Sequence, residues 1–188
     1  MDLYGVIAGT FVIFFFILYI VLILIGFANY ILMALGLSKV AKTTNMSKPW
    51  LAWIPFANYW LTGAVADKIE LENGRKKNYA KICLWVYIGA ILLLIPGAFL
   101  SSLGSVLVEY EPEIAAIFSL TSIPFSLLSS ILSIVTSVFF YIAVFKIFKQ
   151  FVPQKATLYL VLSIIVPLAF GICLMKLPKN TEPDLPIV

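Results

Sequence analysis

Residues 49–63 read Pro-Trp-Leu-Ala-Trp-Ile-Pro-Phe-Ala-Asn-Tyr-Trp-Leu-Thr-Gly, and this short stretch decides how the rest of the chain is arranged. The whole chain is 62% hydrophobic and 12% charged, whereas a soluble domain is about one-quarter charged, so we place nearly every residue in or beside a bilayer. Pro55 interrupts helical structure in the middle of residues 49–63. The Trp and Tyr side chains of these residues prefer the headgroup level, and burying Asn58 against lipid would be costly. We therefore predict that residues 50–66 enter the membrane and return on the same side, or lie at its interface.

The distribution of cations favours the same arrangement. Thirteen Lys and Arg residues fall in four groups between or after the apolar stretches, and the remaining loop, residues 105–113, carries three Glu and no cation. If all five apolar stretches crossed, eight cations would lie on one side and five on the other. If residues 50–66 and residues 156–175, which Pro167 interrupts, both return to the side they entered from, all thirteen share one side. Short loops rich in Lys and Arg stay cytoplasmic, so we prefer this second arrangement.

The predicted fold is an all-α, polytopic integral membrane helical bundle with three full spans and two Pro-broken re-entrant or interfacial segments. Five full spans are the alternative, because residues 156–175 alone are long enough to cross. We assign residues 1–176 to a single transmembrane domain and residues 177–188 to a flexible cytoplasmic tail. The three spans are predicted at residues 4–36, 82–107 and 114–145.

The first span is longer than a bilayer requires. Residues 4–36 would form a helix of about 50 Å, whereas about 20 residues cross the hydrocarbon core. We expect this helix to tilt strongly, to break near Gly26, or to continue toward Lys39 and Lys42. Asp2 precedes the span and cations follow it, so we place the N-terminus outside and the C-terminus in the cytoplasm.

Two parts of the chain resemble each other and predict a pseudo-repeat of residues 4–66 and 114–175. At the end of a long span, Lys39 and Lys42 in the first copy match Lys146 and Lys149 in the second. Each pair is followed by a short polar stretch and then by an apolar segment broken by proline. Duplicated halves are common in membrane folds.

Small hydroxyl side chains form a stripe along the third span, which we call the serine stripe. Its spacings of three and four residues place the members on one helix face, where they favour close packing and hydrogen bonding between helices. A wetted path or a groove for a polar ligand is the alternative interpretation, and Asn58 is a further candidate for such a polar face. The members of the stripe are Ser119, Ser122, Ser126, Ser129, Ser133 and Thr136.

Residue types that usually carry chemistry are scarce. The chain has no His, and none of the three predicted spans contains an Asp, Glu, Lys or Arg. Cys83 and Cys173 lie in apolar segments, where buried, inert thiols are expected. Residues 67–81 are predicted to form a loop with a turn at Asn73-Gly74, in which opposite charges neutralise each other. We therefore predict no catalytic residues, no metal site and no cofactor.

Four lysines near the ends of the spans are candidates for contact with anionic lipid headgroups on the cytoplasmic side. Long cationic side chains reach from a helix end to the headgroup level, and clustered cations attract anionic lipid. No basic domain stands clear of the bilayer, which argues against nucleic acid as a partner. The four candidates are Lys39, Lys42, Lys146 and Lys149.

Residues 41–68 resemble a group of small, uncharacterised bacterial multi-pass membrane proteins. The similar features are a Lys before Trp-Leu-Ala-Trp-Ile-Pro at residues 50–55, then Asn58, then Ala-Asp-Lys at residues 66–68. Members of the group also look similar over a segment that corresponds here to residues 146–167. The resemblance implies a bacterial plasma membrane and carries no activity.

Three functions remain open from the sequence. The first is a non-catalytic scaffold, accessory or immunity-type subunit that acts through helix–helix packing, as a homo-oligomer or with a membrane-protein partner. The second is a passive pathway or carrier for small neutral solutes or lipids. The third is an intramembrane enzyme acting on lipid, which would use a Ser or Asn58 together with a Lys or Asp67.

Overall fold

The structure is a computed structural model that describes residues 3–177. Within this range the chain is all-α and forms no β-strand, which confirms the predicted fold class. Asp2 and residues 178–188 of the predicted tail lie outside the described residues. The helices are α1 (Leu3–Thr43), α2 (Ala57–Glu72), α3 (Tyr79–Leu107), α4 (Pro112–Phe151), α5 (Ala156–Ile165) and α6 (Pro167–Met175), with short 3₁₀ segments at Pro49–Trp53 and Pro153–Lys155.

Three of these helices are long and apolar enough to cross a membrane, as the sequence predicts. They are α3, α4 and the part of α1 from Thr10 onward. Of the expectations for the first span, the structure has the continuous helix, because α1 runs past Gly26 without a break and ends at Thr43. The protein is therefore a polytopic helical bundle with three membrane-length helices among the described residues.

Helices α3 and α4 form an antiparallel hairpin whose contact face is lined by small residues. A Cβ atom on Gly104 of α3 would lie 2.5 Å from the Ser119 hydroxyl oxygen and 3.1 Å from the Ala115 carbonyl oxygen of α4, so any side chain there would force its neighbours to shift. A Cβ atom on Gly97 would lie 3.1 Å from Cβ of Phe125. Small residues allow helix backbones in lipid to approach closely, which is how this hairpin is held together.

The first Pro-broken segment lies against the lower half of α1 and brings α2 back to where α1 ends. The Tyr30 hydroxyl donates to the Trp53 carbonyl oxygen, about 20 Å along α1 from Thr44. Lys68 of α2 donates to the Thr44 carbonyl oxygen and, at 3.1 Å, to that of Asn45. The chain therefore leaves α1, rises along it to Trp53, and returns through α2.

The second Pro-broken segment divides into α5 and α6, which are about 15 and 13 Å long. The division falls at Val166, whose extended backbone (φ −122°, ψ 97°) precedes Pro167. Helix α5 starts beside the end of α4, where Tyr159 contacts Phe148 at a ring-centroid distance of 5.7 Å. Helix α6 then runs parallel to α1, since Leu32 lies beside Gly171 and Lys39 reaches the Leu177 carbonyl oxygen.

The ends of these segments meet at one end of the bundle, which we call the cation-rich end. It comprises the C-terminal ends of α1, α2, α4 and α6 and the start of α3. The main apolar core lies just above it, and its largest fully buried side chains include Leu37, Leu61, Ile147, Phe148 and Leu174.

Candidate functional site

A buried carboxylate, Glu70, lies at the centre of the cation-rich end. The residue is 4% exposed, and its Oε1 atom is 2.8 Å from the Lys146 ammonium nitrogen. Arg75 lies 3.8 Å from the other carboxylate oxygen, but its side chain is 66% exposed. The hydrogen bond from Lys146 outweighs the opposing effect of burial and holds the pKa of the Glu70 carboxyl below its usual range. Because a buried charge without a partner is very costly, this ion pair fixes α2 against α4.

Three more charged side chains close helix ends nearby. The Asp67 carboxylate accepts hydrogen bonds from the backbone N–H groups of Tyr79, at 2.7 Å, and Ala80, at 3.0 Å, and so caps the start of α3 from outside. Lys68 binds the carbonyl groups of Thr44 and Asn45, directly after α1 ends. Lys39 donates to the carbonyl oxygens of Met175, the last residue of α6, and of Leu177 just beyond it. The bonds to Tyr79, Ala80 and Met175 satisfy groups that a helix end leaves without an internal partner.

The prediction that residues 67–81 form a self-neutralising loop is therefore wrong for its first part. Helix α2 continues to Glu72, and only then does the predicted Asn73-Gly74 turn follow, with Gly74 at φ +74°. Asp67 and Glu70 lie on the helix and bind other helices. The signal that could have found Glu70 was its spacing of eight residues after Thr62 and four after Ala66, which places it on the buried face.

An aromatic cluster joins the two Pro-broken segments above this network. Tyr59 of α2 stacks on Tyr87 of α3 at 4.2 Å between ring centroids and contacts Phe140 of α4 at 5.0 Å. Phe140 also contacts Phe170 of α6 at 5.7 Å, and Phe170 contacts Phe148 at 6.5 Å. Phe140 of α4 therefore bridges Tyr59 of α2 and Phe170 of α6, and the edge-to-face contacts with Phe170 are of the favourable type.

Asn58 is buried in the first turn of α2, next to this cluster in sequence. It is 4% exposed, and its side-chain oxygen has no hydrogen-bond partner among the described residues. Its backbone carbonyl accepts from the Thr62 hydroxyl at 2.8 Å. Asp67 lies about 13 Å farther along the same helix and is occupied by α3, so the structure does not bring Asn58 and Asp67 together as an enzyme would need.

The serine stripe faces α3 within the same chain. Ser122, Ser129 and Thr136 are buried there. The Ser129 hydroxyl donates across the contact to the Ala90 carbonyl oxygen at 2.9 Å. Other members donate to carbonyl groups of their own helix, as Ser126 does to Ser122 at 3.1 Å. The stripe therefore packs the α3–α4 hairpin, and Ser119 and Ser126 lie beside Gly104 and Gly97.

The four candidate headgroup lysines divide into two pairs. Lys39 and Lys146 are occupied by the ends of α6 and α2, as described above, whereas Lys42 and Lys149 are exposed and form no ion pair or hydrogen bond within residues 10–177. Lys39 and Lys146 are the matched positions of the pseudo-repeat, and each binds the end of the short helix that follows the other copy's long helix. This correspondence supports the repeat, which stays a prediction.

Both cysteines are buried, unpaired thiols. Within the part of the chain that the structure describes, no three His, Cys, Asp or Glu side chains lie close enough together to hold a metal ion. Comparison with protein families, curated proteins and solved structures finds no match to this chain.

Proposed function

We propose that this protein is a non-catalytic scaffold, accessory or immunity-type subunit of a bacterial plasma membrane, and that the outer half of α1 docks on a transmembrane helix of a partner membrane protein. The exposure of that half-helix is the observation that carries the proposal. Every residue from Thr10 to Phe27 is exposed, and the large apolar side chains range from 41% exposed at Ile20 to 69% at Val12.

The rest of the described chain leaves this half of α1 without neighbours. Helix α1 packs against α2, α6 and the 3₁₀ segment Pro49–Trp53, and within residues 3–177 its backbone does not approach that of α3 or α4 closely. The contacts of Tyr30 and Lys39 hold its lower half in place. About five helical turns therefore extend from a fixed base and are positioned for packing against another helix.

Gly26 is the point at which a partner helix can approach most closely. No atom lies within 4 Å of the position that a Cβ would take there. Helices in lipid associate through close van der Waals packing, because lipid tails are as apolar as the side chains they surround. A small residue beside bulky neighbours therefore marks the closest approach of the proposed contact, at the end of the exposed surface nearest the base of α1.

The serine stripe is used inside the chain, which excludes it as the surface that packs against a partner. Because Ser129 hydrogen-bonds to α3, its hydroxyl is used inside the hairpin. Leucine at Ser126 and Ser129 would therefore separate α3 from α4 before it affected any contact with another chain. Packing against a partner has to use a different surface, and the outer half of α1 is exposed at every position from Thr10 to Phe27.

Two glycines of α1 provide the test. The tagged protein would be purified from its native membranes in a mild detergent, and co-purifying proteins would be quantified by mass spectrometry. Gly26→Leu should keep the fold and lose the partner, because the site is open within the chain. Gly36→Leu should lose the fold, because even a Cβ atom there would lie 2.6 Å from Cβ of Leu174.

Leu92→Trp on α3 is the matched control, since Leu92 is 64% exposed and lies away from α1. It should retain the partner. A second copy of the chain as the only companion, lost in Gly26→Leu, would make the protein a homo-oligomer docked through the same surface. A wild-type protein that purifies as a monomer without companions would refute the proposal.

The proposed orientation has the cation-rich end in the cytoplasm. Lys39, Lys68 and Lys146 all bind groups at that end, which supports the positive-inside assignment. Single cysteines at Asn73 and Tyr110, with Cys83 and Cys173 replaced, would be labelled in intact cells by a membrane-impermeant reagent. Labelling at position 110 alone is expected, and labelling at position 73 would reverse the orientation or add a crossing.

A passive pathway or carrier for small neutral solutes is the second candidate function. A groove of about 470 Å³ lies beside the serine stripe, between Gly97 and Ser101 of α3 and Ser126, Ser130 and Ser133 of α4. It is the observation that favours this candidate. Liposomes containing the purified protein should then swell faster than empty ones in a gradient of glycerol or urea, and Ser130→Leu should remove the difference.

A further inference from the structure

A second groove lies between α4 and α5, at the cation-rich end of the bundle. It has a volume of about 580 Å³, and its walls are seven positions of α4 between Ser133 and Phe145 together with Leu160 of α5. Along α4 it is about 18 Å long, close to the thickness of one leaflet of the hydrocarbon core, about 15 Å. The groove starts next to Lys146 and therefore runs from the cation-rich end toward the middle of α4.

The lining of this groove suits a hydrocarbon chain. Ile134, Val138 and Phe145 contribute apolar surface. One hydroxyl group in the wall belongs to Tyr141. The other two are satisfied by their own helix: Ser133 donates to the Ser129 carbonyl oxygen and Ser137 to that of Ser133, each at 2.9 Å. A polar solute would find no unpaired group on these two side chains.

An exposed lysine lies near the cation-rich end of each of the two helices that form the groove. Lys149 lies four residues after Phe145 and eleven after Val138, a spacing that returns to the same face of α4. Lys155 immediately precedes α5. Both side chains are exposed and have no ion pair within residues 10–177, whereas Lys146 is already held by Glu70.

We propose that the α4–α5 groove binds one anionic phospholipid, with an acyl chain between Ile134 and Phe145 and the headgroup phosphate at Lys149 and Lys155. An apolar groove of leaflet length that ends at two free cations matches both parts of such a lipid. Basic sites between transmembrane helices on the cytoplasmic side bind anionic headgroups in this way. The site is independent of the contact proposed for α1.

Native mass spectrometry of the delipidated protein, titrated with dioleoyl phosphatidylglycerol in detergent, tests the headgroup. One lipid should bind with a clear preference over dioleoyl phosphatidylcholine. Lys149→Gln with Lys155→Gln should lower the affinity about thirtyfold, from about fivefold for each lysine. Lys81→Gln, an exposed cation at the start of α3, is the matched control and should leave the affinity unchanged.

A second pair of variants tests the acyl chain. Val138 is 52% exposed, so Val138→Trp should fill the groove without disturbing the fold, and lipid retention should be lost. Leu120→Trp, on the same helix at a position 66% exposed, should retain the lipid. Equal binding of the two lipids, or retention that neither the double lysine variant nor Val138→Trp reduces, would overturn the proposal. So would a dimer that only Val138→Trp dissociates, because a second copy would then fill the groove.

Discussion

Replacing Lys146 with Met should destabilise the protein and reverse its response to acid. The substitution leaves Glu70, which is 4% exposed, with Arg75 at 3.8 Å, whose side chain is largely in solvent, and with the more distant charge of Lys77. Removing one partner of a fully buried ion pair costs about 3–5 kcal/mol. The Lys146 side chain is 26% exposed, so we expect a smaller loss of about 2–3 kcal/mol.

The change in stability with pH distinguishes the Lys146→Met variant from the wild type more clearly than the loss of stability does. In the wild type the pKa of Glu70 is lowered, so its contribution to stability is complete above the carboxyl's ordinary pKa of about 4.3 and is lost as the pH falls through the lowered value. Without Lys146, burial should raise the pKa of Glu70 above that of the unfolded chain. Acidification from pH 7 to pH 5 should then stabilise the variant and leave the wild type almost unchanged.

A thiol-reactive fluorogenic maleimide provides the assay, since Cys83 and Cys173 are buried in the fold and react on unfolding. Lys42→Met, an exposed lysine near the end of α1, is the matched control and should change the unfolding midpoint little. Replacing Glu70 with Leu together with Lys146→Met should recover most of the loss, because no buried charge remains. A Lys146→Met protein as stable as the wild type at pH 7, or one that acid destabilises, would refute the reasoning.

Three further substitutions can be read with the same dye. Gly171→Ala should separate α6 from α1 and lower the midpoint, because its Cβ would lie 2.5 Å from the α1 backbone, whereas Gly26→Ala should leave the midpoint unchanged or higher. Asp67→Ala should lower the free energy of unfolding by about 1 kcal/mol and speed hydrogen exchange in the first turn of α3. An increase in exchange rate spread evenly over all the helices would contradict a capping role. Ser129→Ala should remove about 0.6 kcal/mol through its bond to α3, and an equal loss for Ser130→Ala, whose hydroxyl bonds within α4, would contradict that assignment.

The long helices were predictable because a membrane span is identified by local composition alone. Some 20 consecutive apolar residues identify a span wherever they occur. The interruption at Val166-Pro167 was predictable for the same reason, since proline acts on the turn that precedes it. The continuation of α1 through Gly26 was one of several expectations, because a single glycine weakens a helix by only about 1 kcal/mol.

The site was less predictable, because its partners are distant in sequence. The sequence predicts headgroup contacts for Lys39 and Lys146, and nothing local to them reveals the carbonyl groups of Met175 or the carboxylate of Glu70. These contacts depend on how α2 and α6 return. The serine stripe could be read as a packing face, but its partner helix became known only from the position of Ala90.

Because the tertiary contacts of α1 are concentrated at one end of the bundle, a small change in its angle there moves its other end by a larger distance. From Tyr30, which is bonded to the Trp53 carbonyl oxygen, to Thr10 the helix extends about 30 Å without close packing against α3 or α4. A tilt of about ten degrees at Tyr30 moves the far tip by about 5 Å, about half the width of a helix. Small rearrangements at Tyr30 are thus amplified geometrically at the far end of α1, and the angle of α1 is set far from the surface it presents.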